Sequence, residues 1–174
     1  MKYLQSYYAC SIQSLMQIAY MERLIGSYTP KNIEKFYKEM KSRNVIAWNN
    51  KQGDILCGNT YVEKAAKGFI KYAVDMGHKK TEFKGVKKNP DIDWIRNKIE
   101  YNRPILFGYH INLKGKKVGH MISVLGVMKA KKVSSGNTWN YIMVYNAWDD
   151  EVRFVNYDCV DFIDSIATYF WVKK

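Results

Sequence analysis

Proline, histidine and cysteine are scarce in this chain of 174 residues, at three each, and 16 acidic side chains face 28 Lys and Arg. Three cysteines (Cys10, Cys57, Cys159) in a chain this long do not make the paired framework of a disulfide-stapled domain. Together with His78, His110 and His120 they show no metal-ligand spacing, so neither a metal centre nor a cofactor is expected. No apolar run approaches the ~18 residues of a membrane span, because a charged side chain interrupts each one. Residues 1–20 lack the continuous apolar stretch and small-residue cleavage site of a signal peptide. The expected location is therefore cytoplasmic, or exported with a leader already removed.

The shortage of acids leaves a formal net charge of +12. The surplus lies in short clusters, at Lys79-Lys80, Lys84 to Lys88, Lys114 to Lys117 and Lys129 to Lys132, which fall mostly in predicted turns. Such clusters read as solvated loop ends, capable of non-specific attraction to polyanions. Neither zinc-knuckle spacing nor the aromatic strand pair of single-strand binders is present, so no specific nucleic-acid partner is expected.

What the chain does have is a folding pattern. With 47% hydrophobic and 15% aromatic residues it is a globular protein, expected as one domain over 1–174. Residues 12, 15, 16, 19, 22 and 25, apolar except for Glu22, have helical spacing and predict one helical face over 10–25, with Gly26 as the stop. Thr29-Pro30 is a cap followed by a first-turn proline, and predicts a helix through about Lys41. Residues 43–58 read as an irregular connection around Lys51-Gln52-Gly53-Asp54. A third helix is predicted from Asn59 or Thr60 to Met76, with Gly77 beyond it, and a fourth from Asp91 to Tyr101 after Asn89-Pro90.

From residue 102 onward the periodicity changes. Pro104 to Ile111, Val118 to Met128, Trp139 to Asn146, Val152 to Val155 and Ile166 to Val172 predict strands, with a helical turn around Cys159 to Ile163. The expectation is an α+β fold: a mainly helical half (1–101) packed on an antiparallel sheet of about five strands (102–174).

Three residues in chain order could carry chemistry. Cys10 starts the first helix, where unpaired N–H groups and the helix dipole favour an anion and would lower a thiol pKa. His120 follows Gly119 near the start of a strand, on the face of Ile122 and Val124, where a neutral imidazole could accept a thiol proton. Asn146 ends the next strand, so its side-chain amide could accept the ring N–H and fix the tautomer; the same residue could equally form a turn. Gln5 could donate to an oxyanion, Trp148 could shield the histidine, and Asp149 is a rival orienter.

The segment Gln5 to Gly26, with Cys10 followed by Ser14, Met16 and Tyr20, resembles the nucleophile helix of papain-like cysteine peptidases. It is similar above all to the bacterial branch of double-glycine leader peptidases, although Ser11-Ile12 follows the cysteine where that branch carries Gly-Pro or Gly-Ala. Asn102 to Leu106 and Gly119 to Val124 resemble that branch's paired strands, and Tyr145-Asn146-Ala147-Trp148 is similar to the Asn-Ser-Trp element of papain-like enzymes. The resemblance implies a papain-like fold and a thiol peptidase acting on a peptide or protein substrate. It implies Cys10 as nucleophile, His120 as base, Asn146 as orienter and Gln5 in the oxyanion hole. Other cysteine-dependent acyl transfer, as in an amidase or transglutaminase, and a silent peptide-binding module fit the same residues. Nothing in the sequence fixes an oligomeric state.

Overall fold

A computed structural model describes residues 10–172, apart from 44, 46–47, 53–54, 147–150 and 161. The described residues form an α+β structure with four helices, α1 (Cys10–Met21), α2 (Pro30–Ser42), α3 (Val62–Asp75) and α4 (Ile92–Glu100). Its strands are β1 (Trp48–Gln52), β2 (Ile55–Asn59), β3 (Glu82–Phe83), β4 (Lys87–Lys88), β5 (Ile105–Leu113), β6 (Lys116–Lys131), β7 (Thr138–Tyr145), β8 (Val152–Asn156) and β9 (Ile163–Trp171). The main antiparallel sheet has seven strands in the order β3-β9-β5-β6-β7-β8, with β4 also on β9. The expected five long strands are its body. The two extra strands are two-residue pairings against β9, too short to leave a periodic signal.

The first helix is shorter than its apolar pattern, ending at Met21 where 10–25 was expected. The reason is a stop without glycine. Arg23 adopts φ 58°, Leu24 N–H donates to the Ala19 carbonyl, and Arg23 N–H donates to that of Tyr20. This is a Schellman end, with buried Leu24 as its apolar contact. The same pair of bonds closes α3 at Gly77 (φ 97°) and α4 at Asn102 (φ 53°). α2 starts as expected, with Thr29 Oγ1 accepting from Asn32 N–H. α4 is capped by Asp91, whose carboxylate accepts from Trp94 N–H at 2.7 Å. Asn89, two residues earlier, instead binds the Ser165 carbonyl through its N–H.

The connection expected to be irregular over 43–58 contains a hairpin. β1 and β2 pair antiparallel from Trp48↔Asn59 to Gln52↔Ile55. Its polar first strand, Trp-Asn-Asn-Lys-Gln, has no alternation to announce it. The helical turn expected around Cys159 to Ile163 is a turn over 157–159 leading into β9, which begins at Ile163.

Helices cover both faces of the sheet. On one, Ile12, Leu15, Met16, Ala66 and Phe69 of α1 and α3 pack against Leu106, Met121 and Phe170. On the other, Ile95 of α4 packs with Ile105, Phe107, Ile122, Val124 and Ala167. Burial on both faces explains why β5 and β6 read as continuous apolar runs. α1 is buried nearly all round, and the buried Ser14 hydroxyl donates to the Met121 carbonyl at 3.0 Å. That bond ties the helix that begins with Cys10 to the residue after His120. The basic clusters at Lys79-Lys80, Lys87-Lys88 and Lys131-Lys132 are exposed and solvated, but Lys87-Lys88 forms β4 and Lys131 ends β6, where turns were expected.

Candidate active site

The first residue of α1, Cys10, is half-buried and opens onto a cleft of about 520 Å³ between the helical layer and the ends of β5, β6 and β9. His120 lines the same cleft, so two of the expected residues share one cavity. Gln5, Trp148 and Asp149 lie outside the described residues.

His120 stands opposite Tyr109 in the β5–β6 register, and the two rings meet edge to face with centroids 5.9 Å apart. Its Nε2 lies 2.7 Å from the main-chain carbonyl oxygen of Asn146. A carbonyl can only accept, so Nε2 carries the proton and a neutral ring keeps its lone pair on Nδ1. Asn146 comes close to His120 as expected, and it is the backbone carbonyl of Asn146 that bonds the ring. Asn146 directly follows β7, whose last residue pairs with Ser123 of β6. Tyr28 reinforces this corner, its hydroxyl 3.3 Å from that of Tyr145.

Electrostatics at Cys10 run against the expectation of a lowered thiol pKa. Burial pushes the thiol up from its ordinary value, and hydrogen bonding to the backbone at Met121, Ser11 and Cys10 opposes this without overcoming it. Desolvation outweighs the helix N-terminus here. Burial also pushes His120 below the ordinary imidazole value, partly countered by its bond to the Asn146 carbonyl. Both shifts favour the neutral forms of the thiol and the imidazole that share the cleft. Burial, and then the proximity of Cys10, raise the Tyr109 phenol to about 12, so Tyr109 is a neutral neighbour.

The cleft also contains His110, Lys117 and Asp164, none of which stood out in the sequence as site residues. Lys117 and Asp164 form an ion pair, and Asp164 is held below the ordinary carboxyl value by its hydrogen bond to Lys117. His110 pairs with Gly119 across β5 and β6. The signal available was the Gly119-His120 dipeptide opposite a second histidine, visible only once the register is known. Among the described residues no group of three or more His, Cys, Asp and Glu could hold a metal ion.

Fold and cleft thus define an α+β protein with a thiol and an imidazole in one cavity at the junction of helix and sheet. No family model and no curated protein sequence matches the chain. Among solved structures it is similar to interpain A, a cysteine protease of Prevotella intermedia, at 14% identity and a TM-score of 0.48. The similarity covers 82% of this chain and 58% of that one.

Proposed function

We propose that the chain is a thiol peptidase that hydrolyses peptide bonds with Cys10 as nucleophile and His120 as general base. One observation carries the reading: Cys10 and His120 line one cleft, while the Asn146 carbonyl takes the Nε2–H of His120. In this scheme the thiol proton passes to Nδ1 as Sγ bonds to the scissile carbonyl carbon. Collapse of the tetrahedral intermediate breaks the C–N bond, and the imidazolium returns the proton to the leaving amine. Water, deprotonated by His120, then hydrolyses the thioester and restores the thiol. Gln5 and the Cys10 N–H are the proposed oxyanion donors, Trp148 the proposed shield, and Asp149 a rival to Asn146 as orienter.

Because burial shifts both groups toward their neutral forms, the proton passes from Sγ to Nδ1 in step with attack on the scissile carbonyl, in place of a standing ion pair. Digestion of a fluorogenic peptide library tests the proposal, with Cys10→Ala and His120→Ala as controls. Turnover should vanish in the first and fall about 10²–10⁴-fold in the second. Repeating the digest with an added primary amine separates hydrolysis from acyl transfer to an amine. The raised thiol pKa favours a second reading, a silent peptide-binding module, which predicts binding without turnover in the wild type.

A further inference from the structure

The hydrogen bond from Nε2 to the Asn146 carbonyl holds His120 at one ring atom. One such bond does not fix the plane of the imidazole, because χ2 of histidine is a broad torsion. The plane needs a second contact, and the β5–β6 register sets the Tyr109 ring against it. The two rings stand at 90° with centroids 5.9 Å apart, within the range of a favourable edge-to-face pair. Tyr109 is itself backed by other rings. Phe162 meets it edge to face at 5.0 Å, and the fully buried Phe107 lies 5.8 Å away. Phe162 in turn packs on Tyr157 at 5.3 Å, and the Tyr157 hydroxyl donates to the Pro90 carbonyl just before α4. The rings thus form a column from His120 to the start of α4.

We infer that Tyr109 is a positioning residue for His120: its ring, wedged by Phe107 and Phe162, sets the imidazole plane in which His120 takes the Cys10 proton. This rests on the peptidase reading and adds to it a residue that acts through the base. A side chain locked by its own packing holds a catalytic group more closely than a mobile one does. A misplacement of ~1 Å at such a group can cost about 10²-fold in rate. Contact with the Tyr109 ring is also part of the burial that favours the neutral imidazole.

The test compares Tyr109→Phe, which keeps the ring, with Tyr109→Leu, which does not, in steady-state kinetics on one peptide across pH. Tyr109→Phe should stay within about twofold of the wild type in kcat, since the ring makes the contact. Tyr109→Leu should lose about 10- to 10²-fold in kcat with KM nearly unchanged. Its acid limb should also move up toward the ordinary imidazole value of about 6.5, as water reaches His120. Wild-type kcat in a folded Tyr109→Leu overturns the inference, and so does an acid limb that does not move. A Tyr109→Phe variant that falls as far as Tyr109→Leu overturns it too, because the hydroxyl would then be the active part. If urea titration shows Tyr109→Leu to be unfolded, Phe162→Leu replaces it. A fall of about 3- to 10-fold in kcat is then expected, and no fall overturns the inference. A wild type without turnover overturns the peptidase reading, a separate outcome. NMR titration of His120 still reads the contact in that case: its midpoint should rise in Tyr109→Leu and not in Tyr109→Phe. A midpoint unmoved by Tyr109→Leu overturns the inference on its own.

Discussion

His120 donates its Nε2–H to the backbone carbonyl of Asn146, 2.7 Å away, so the ring is oriented by a group that no side-chain substitution removes. His120 lies in β6 and Asn146 directly follows β7, the antiparallel neighbour of β6, so the β6–β7 register sets their contact. Asn146→Ala should therefore cost less than about tenfold in kcat/KM. An Asn side chain acting as the orienter predicts a loss of 10²-fold or more, as for other groups that fix a catalytic tautomer. Steady-state kinetics on one peptide substrate decides between them.

The pH profile follows from the two shifts at the site. Imidazole is a base only when neutral, and burial lowers the His120 pKa, so activity is lost on acidification only below the ordinary value of about 6.5. The thiol is raised, so iodoacetamide labelling of Cys10 in the free protein should keep climbing above about pH 8.5. A labelling rate already at its plateau near pH 6 would mean a standing thiolate–imidazolium pair instead. Cys57→Ser and Cys159→Ser leave one thiol to report.

Ser14 lies one turn beyond Cys10, and its hydroxyl is bonded to the Met121 carbonyl. Ser14→Ala removes a buried hydrogen bond between the nucleophile helix and the strand of the base. It should lower stability by about 1–2 kcal/mol in urea titration and reduce kcat more than it raises KM. A stability loss with kinetics unchanged would mean that the bond serves folding alone.

Arg23 is exposed and holds φ 58° at the end of α1. Glycine accepts that conformation without a Cβ penalty, so Arg23→Gly should stabilise the protein by about 0.5–1 kcal/mol. Urea midpoints compare the two. A destabilised variant would show that the arginine side chain contributes more than the strain costs.

The α+β plan was legible because both long apolar strands and the amphipathic helices carry strong periods. Cys10 and His120 were legible as residues at the starts of elements, which the patterns place well. The Arg23 stop was not, since it uses a left-handed residue other than glycine. Nor was the hairpin of β1 and β2, whose polar strand does not alternate. The thiol pKa was misjudged because a sequence reveals a helix start but not the burial that opposes it. His110 was passed over because its relation to Gly119 exists only in the paired strands.

The most direct measurement of the central claim is the rate of Cys10 modification by a peptidyl chloromethyl ketone in wild type and His120→Ala. The expected result is an adduct on Cys10, formed much faster than with a free thiol at pH 7, and slowed at least about 10²-fold without the histidine. A rate no greater than that of a free thiol, or one indifferent to His120→Ala, would contradict it.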